Sequence, residues 1–413
     1  MIKPADRTLN VEYAIRDILL VAEKAKAAGK DLLYLNIGDP MIFDFRTPRH
    51  IIDACYQAML DNRVGYAPSS GIAEAREAIG EAVRRKGIKK WHDLFVTTGV
   101  SECIELCLTA LVDSGKEVLT PSPGYPLYSA VLAKLQARNV PYYLDEDNNW
   151  EPDVDDIRKK ITPNTRALVL INPNNPTGSR YKRETLEEIV QLSLKHRMVV
   201  FSDEIYDKLV LDGEDSLSIA ALSDEAPIIT MNGLSKSYLV PGFRVGWAVV
   251  TGDRATVAPY IEAINKFLRA RLCTVTPLQY GIKPALEGPQ DHIAEIKDKL
   301  RRRRDVTYRR LNSIPNISCV KPTAAFYAFP RLHIEETDLA FVTDLIAETG
   351  VVVVHGDGFG QRPGTRHMRV VFLPQEDYLE KAFDRLEEFM VKRSRRPSRL
   401  PVQLSARTRE HLP

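Results

Sequence analysis

From residue 50 to residue 290, short apolar and β-branched runs alternate with longer segments whose apolar positions recur at helical spacing. The runs DLFVTTG, KEVLTPSPG, RALVLINPNNP, MVVFSDEIY, APIITMNGLS and VGWAVVTG each close on turn-forming residues and predict strands. Between them, EAREAIGEAVRRKG and KRETLEEIVQLSLKH predict helices. Strand and helix in alternation predict a parallel α/β sheet covered by helices.

Beyond residue 290 the pattern changes. A long charged helix, DHIAEIKDKLRRRRDVTYRRLNSI, leads into the shorter runs ISCV, AAFYAFP, VVVVHGDGFG and HMRVVFLP, with helices between them. This predicts a smaller α+β domain over 291–392, completed by an N-terminal arm over 1–49, with the large domain over 50–290. The first thirty residues predict an amphipathic helix broken by charges, without the apolar core and cleavage site of a signal peptide. Residues 393–413, rich in Arg, Ser and Pro, predict a flexible basic tail. The run Arg301 to Arg304 has acids on its flanks and helical periodicity, which predicts a solvated helix face.

Composition narrows the partners. Fifty-seven basic against 55 acidic residues leave a net charge of +2, too little to steer the chain toward nucleic acid or membrane. No apolar run reaches the length of about 18 residues that a membrane span needs. A small-molecule partner is expected. The five cysteines are scattered and odd in number, which argues against a disulfide framework and for a reducing cytoplasm. Cys103 and Cys107, one helical turn apart, are expected to pack in a core, and no metal is predicted.

The unusual polar residues cluster at predicted strand ends, where open α/β sheets bind ligands. After DLFVTT comes GVSECIEL, a glycine turn opening a helix whose free N–H groups and Ser101 hydroxyl would suit a phosphate. The segment NPNNPTG follows another strand and offers the Asn175 amide; read alone it is a rigid turn. MVVFSDEIY carries Asp203 and Glu204 out of an apolar strand, followed by Tyr206. A carboxylate leaving a buried strand is costly unless paired, and a helix-capping Asp is the plainer reading. In NGLSKSYLVPGFRVGW, Lys236 and Arg244 stand eight positions apart; an isolated lysine is ordinarily solvated. Together these groups match the needs of pyridoxal phosphate: a lysine for its aldehyde, an acid opposite its ring nitrogen, a donor to its ring oxygen and a phosphate cradle.

On LNIGDP, GVSE, NPNNPTG, NGLSKSYLVPGFRVGW, RLCTVTPLQYG, AAFYAFPR and HMRVVFLP, the chain resembles the class I/II aminotransferases of pyridoxal-phosphate fold type I, the aspartate aminotransferase superfamily. Within it, the motifs are most similar to those of bacterial alanine (glutamate–pyruvate) aminotransferases. The resemblance implies a mostly parallel seven-stranded sheet with a second, smaller α+β domain, and transfer of an amino group between an amino acid and a 2-oxo acid. It makes Lys236 the cofactor-bearing, proton-shuttling base and Arg244 the phosphate ligand. Val100, Ser101 and Ser235 complete the cradle, Asp203 faces the ring nitrogen, Tyr206 and Asn175 the ring oxygen, and Tyr125 stacks on the ring. Arg369 and the backbone of Gly38 would hold the substrate, with Asn175 beside them. Tyr66 would reach the cofactor phosphate of a neighbouring subunit, which implies a homodimer. Ala324 stands where the family usually has glycine, which bears on the loop that closes over the substrate, and the tail runs past the family's usual end.

Alanine with 2-oxoglutarate is the preferred substrate pair, with aromatic and other amino donors open. A lyase or an aminocyclopropane-carboxylate synthase-like enzyme would share the cofactor motifs. A cofactor-sensing transcription regulator is disfavoured, because LNIGDP begins within the first forty residues and leaves no room for a winged helix ahead of it.

Overall fold

The computed structural model describes residues 2–11, 14–213 and 215–394. Its strands are β1 (Leu33–Tyr34), β2 (Asp93–Thr97), β3 (Glu117–Ser122), β4 (Arg138–Asp145), β5 (Glu151–Pro152), β6 (Thr165–Ile171), β7 (Val199–Asp203), β8 (Ile228–Gly233) and β9 (Gly246–Thr251), followed by six short strands in the C-terminal part. The large sheet has the order β2-β9-β8-β7-β6-β3-β4-β5. It therefore holds the seven long strands of the expectation, with the two-residue β5 added antiparallel at the β4 edge. Neighbours from β4 to β8 run parallel, whereas β9 lies antiparallel between β2 and β8.

These strands form where they do because both faces are covered. In β6 and β7, Val169, Ile171 and Phe201 belong to a core cluster with Cys103, Ile104, Cys107 and Leu132, while Leu168, Leu170 and Val200 belong to a second cluster with Leu186 and Ile189. The period of two thus sorts one apolar run onto two cores, and the run reads as continuous instead of alternating. Cys103 and Cys107 sit in the first core, and burial pushes both thiols up from their ordinary range. Among the described residues there is no cluster of His, Cys, Asp and Glu fit to hold a metal, and no helix long and apolar enough to cross a membrane.

The C-terminal part contains β10 (Ile317–Ser318), β11 (Tyr327–Ala328), β12 (Arg331–Leu332), β13 (Val351–Val352), β14 (Val354–His355) and β15 (Met368–Val371). Strand β15 lies antiparallel between β11 and β14, and β1 from the N-terminal segment pairs in parallel with β13. The N-terminal segment forms a 3₁₀ turn, Asp6–Asn10, then the helix Ala14–Ala27. The last helix runs Glu376–Ser394, two residues into the predicted tail; the rest of the tail, 395–413, lies outside the described residues.

The arginine run departs from expectation. Within the helix Asp291–Ser313, Arg303 is 2% and Arg304 3% exposed. Arg303 Nη2 donates to both Asp44 oxygens at 2.7 and 2.8 Å, its guanidinium lies 5.0 Å over the Phe45 ring, and Arg304 Nη1 pairs with Asp212. Helical periodicity was right, but acids from distant segments turn half of the run inward, where a paired guanidinium can be buried.

Candidate active site

The register aligns the strand ends. Ile171 of β6 faces Asp203 of β7, Asp203 faces Met231 of β8, and Gly233 at the end of β8 faces Gly246, which also faces Thr97 at the end of β2. The carboxyl ends of β2, β6, β7 and β8 and the first residue of β9 consequently share one edge. There they border a cavity of about 610 Å³ lined by Gly38, Val100, Ser101, Tyr125, Asn175, Asp203, Tyr206, Ser235, Lys236, Arg244 and Arg369, every predicted site residue except Tyr66. Tyr66 is 86% exposed on the surface of this chain.

The helix Gly99–Leu111 opens directly after β2. Gly99 has φ +73°, and a Cβ on it would lie 2.4 Å from Arg244 Nη2; a Cβ on Gly246 would lie 2.6 Å from Gly99 C and Val100 N. Two glycines thereby let the guanidinium reach the helix start, where Arg244 Nη2 donates to Ser101 Oγ at 2.7 Å. Arg244 itself takes the left-handed conformation, φ +53°, unfavourable for a side chain with a Cβ. Glu102 accepts from the Thr98 amide at 2.6 Å, which secures the turn. The result is a positive concavity of unsatisfied N–H groups and one guanidinium.

Lys236 leaves the end of β8 and donates from Nζ to Gly38 O at 2.8 Å. Gly38 also lets Tyr327 pack against this segment: a Cβ there would lie 2.2 Å from Tyr327 Oη. Burial pulls the Lys236 ammonium down to about 8; Asp39 opposes this, and the Arg369 and Arg244 charges add to it. At that value a neutral amine is accessible near neutral pH. Asp203, 4% exposed, is pushed by burial up to about 6, against the Ile205 amide at 3.3 Å and the Tyr128 hydroxyl at 3.2 Å.

Arg369 is 1% exposed on β15 and crosses to the large sheet's edge. Its Nη1 donates to Asn175 Oδ1 at 3.0 Å and its Nη2 to Asn36 O at 2.6 Å, while the guanidinium lies 4.7 and 4.6 Å from the Tyr327 and Phe359 ring centres. Asn175 lies in a turn between two cis peptide bonds, Asn172–Pro173 before it and its own bond to Pro176. That turn is held by Gly178, whose carbonyl accepts from Thr323 and Ala324 amides at 2.9 and 2.8 Å. Ala324 fits there outside the left-handed region; its neighbour Ala325 takes φ +55°. The Tyr206 and Tyr327 hydroxyls are 2.9 Å apart.

Several lining residues escaped the sequence reading: Ile15, Ile37, Asp39, Ile42 and Tyr327, with Tyr128 beneath Asp203. Tyr327 lies inside the quoted AAFYAFP and was within reach; Tyr128 meets Asp203 only through the fold. Ile15 had no local signal.

A family model described as aminotransferase class I and II matches residues 30–386. The chain is 38% identical to the glutamate-pyruvate aminotransferase AlaA of Escherichia coli K12, covering 94% of this chain and 98% of that one. It is 40% identical to an alanine aminotransferase of Mycobacterium tuberculosis, covering 90% and 88%. Among solved structures, an alanine aminotransferase from Pyrococcus furiosus superposes with a TM-score of 0.91 at 42% identity, covering 94% and 100%. With a matched model spanning most of its length and relatives similar from end to end, the chain belongs to the class I and II aminotransferases.

Proposed function

We propose that the chain uses pyridoxal phosphate to exchange the amine of alanine with 2-oxoglutarate, giving pyruvate and glutamate, and that it works as a homodimer. The observation that carries the cofactor is the juxtaposition of Lys236, Asp203 and the Arg244–Ser101 cradle in one cavity. The residues fit the group: Asp203 is a buried carboxylate with two long hydrogen bonds, suited to a protonated ring nitrogen. A Cβ on Gly99 would displace the Arg244 guanidinium and one on Gly246 would press on the Gly99–Val100 backbone, so the cradle depends on both glycines. The relatives' names support the substrate pair.

When bound, the cofactor supplies an aldehyde to take the amine and a ring that accepts electrons as a bond at the substrate α-carbon breaks. Arg244, Ser101 and the helix start would hold its phosphate, Asp203 its ring nitrogen, Tyr206 and Asn175 its ring oxygen, and Tyr125 its face. Arg369 is pre-oriented by Asn175 and Asn36 to receive an α-carboxylate on its planar fork. Lys236, neutral once deprotonated, removes the proton from the substrate α-carbon and returns it on the other side of the exchange. Ile15, Ile37 and Ile42 give the cavity an apolar wall, which suits a short aliphatic side chain and limits water at the reacting atoms.

A panel of amino donors and oxo-acid acceptors tests this reading. Alanine with 2-oxoglutarate should rank among the best pairs, and Lys236→Ala should lose turnover by about 10⁴-fold or more, as loss of a general base and covalent anchor together would do. Release of ammonia and pyruvate from cysteine-type donors without amination of an oxo acid would replace the transaminase with a lyase. Retained turnover in Lys236→Ala would refute the base.

A further inference from the structure

Lys86 ends the helix Ala73–Arg85 and reaches under the carboxyl end of β7, on the side of the sheet away from the cavity described above. Its Nζ pairs with the Glu204 carboxylate and with Asp207 Oδ2, the latter at 2.9 Å. Both acids are buried, 2% and 7% exposed. Glu204 directly follows Asp203, and Asp207 directly follows Tyr206. The Asp207 amide donates to Glu204 O at 3.0 Å, so 204–207 form one tight turn whose two acid side chains meet on a single ammonium. Asp203 and Tyr206 precede those acids and line the cavity on the other side. The second Glu204 oxygen accepts from Ser202 Oγ at 3.0 Å and Ser218 Oγ at 2.6 Å, which leaves the carboxylate little freedom.

We propose that Lys86 is a positioning residue: it staples both ends of the turn that presents Asp203 and Tyr206, and offsets the negative charge behind them. This rests on the pyridoxal-phosphate reading. Burial alone would lower the Lys86 ammonium, but the Asp207 and Glu204 charges outweigh it and hold it above the ordinary lysine range. The charge is therefore permanent under working conditions. A partly buried ion triplet can serve stability alone; its attachment to the residue after each cofactor-facing side chain is what ties this one to the site.

The experiment compares Lys86→Met, Lys86→Arg and Glu204→Gln in the full chain. Pyridoxal phosphate is titrated by absorbance, the pH midpoint of the bound band is recorded, and alanine kinetics follow. Lys86→Met should raise the pyridoxal phosphate Kd and lower kcat, each about tenfold, because small misplacements at a reacting site carry large rate penalties. The alanine KM, set by Arg369 on β15, should move less than about twofold. With Glu204 and Asp207 uncompensated, the pH midpoint should rise, and Lys86→Arg should restore it in part. If Lys86→Met does not fold, Glu204→Gln decides: it keeps the serine contacts and the Lys86–Asp207 pair, and should weaken pyridoxal phosphate binding about threefold with its pH midpoint lowered. Unchanged Kd, kcat and midpoint in folded variants would overturn the staple. Wild type that neither binds pyridoxal phosphate nor transaminates would instead overturn the reading beneath it.

Discussion

Burial pushes the Asp203 carboxyl up to about 6 and pulls the Lys236 ammonium down to about 8, so the two groups proposed to carry the chemistry destabilise the cofactor-free fold at neutral pH. For Asp203 the native state holds its proton more tightly than the unfolded chain between about pH 4 and 6, and stability falls as pH rises through that window. A shift of about two units corresponds to about 3 kcal/mol at pH 7. Asp203→Asn should therefore stabilise the cofactor-free protein by up to about 3 kcal/mol at pH 7 to 8, little at pH 4, and should cost most of the turnover. Denaturant unfolding of both proteins across pH checks this; a stability difference between Asp203→Asn and wild type that is the same at pH 7 and pH 4 would contradict it. At this scale Asp203 was legible because it closes an apolar run, and Lys236 and Arg244 because they stand eight positions apart as cations in a small, apolar segment. Tyr128 and Lys86 were not, since their roles depend on which distant atom they touch: Tyr128 reaches Asp203 across 75 positions and Lys86 reaches Glu204 across 118.

Among elements, the junction of β2, β9 and the helix Gly99–Leu111 sets the anion cradle, and it exists only because two glycines stand back to back. Gly99→Ala would put a side chain at φ +73° and a Cβ 2.4 Å from Arg244 Nη2. The left-handed conformation alone disfavours alanine by about 1–2 kcal/mol. We expect Gly99→Ala to lose that much stability and to weaken pyridoxal phosphate binding more than binding of pyridoxal, which lacks the phosphate. An equal loss for both would place the damage outside the cradle. All six strands quoted from the sequence correspond to strands of the sheet, because a strand buried on both faces announces itself as a continuous apolar run. The quoted runs ISCV, AAFYAFP, VVVVHGDGFG and HMRVVFLP likewise hold β10, β11, β13 with β14, and β15, whereas the two-residue β12 lies outside these runs, and the inward turn of Arg303 and Arg304 depends on acids that local sequence does not contain.

For the whole molecule, large apolar side chains remain exposed on one run of chain: Tyr56 59%, Met59 45%, Leu60 61% and Val64 57%, next to Tyr66 at 86%. Isolated exposed apolar residues are ordinary, but a contiguous set marks an interaction surface. In the proposed homodimer that surface is covered and Tyr66 serves the partner's cofactor. Leu60→Asp should shift sedimentation toward monomer and make turnover depend on protein concentration, while Tyr66→Phe should remain dimeric and bind pyridoxal phosphate about threefold to tenfold more weakly, the loss of one hydrogen bond to a charged group. A fully active monomer would exclude the shared site. The α/β class and the location of the candidate site at one sheet edge could be read from the chain; the proposed assembly rests on the family resemblance, since an exposed tyrosine has no signature of its own. One further property follows from the reversed strand β9. Because it runs back from the end of β8, Lys236 and Arg244 ride on a single short connection between adjacent strands, whereas Arg369 arrives from a separate sheet. The proposed grip on the cofactor is thus a fixture of one connection, while the proposed grip on the substrate spans two sheets and is coupled to the first through the Arg369–Asn175 hydrogen bond.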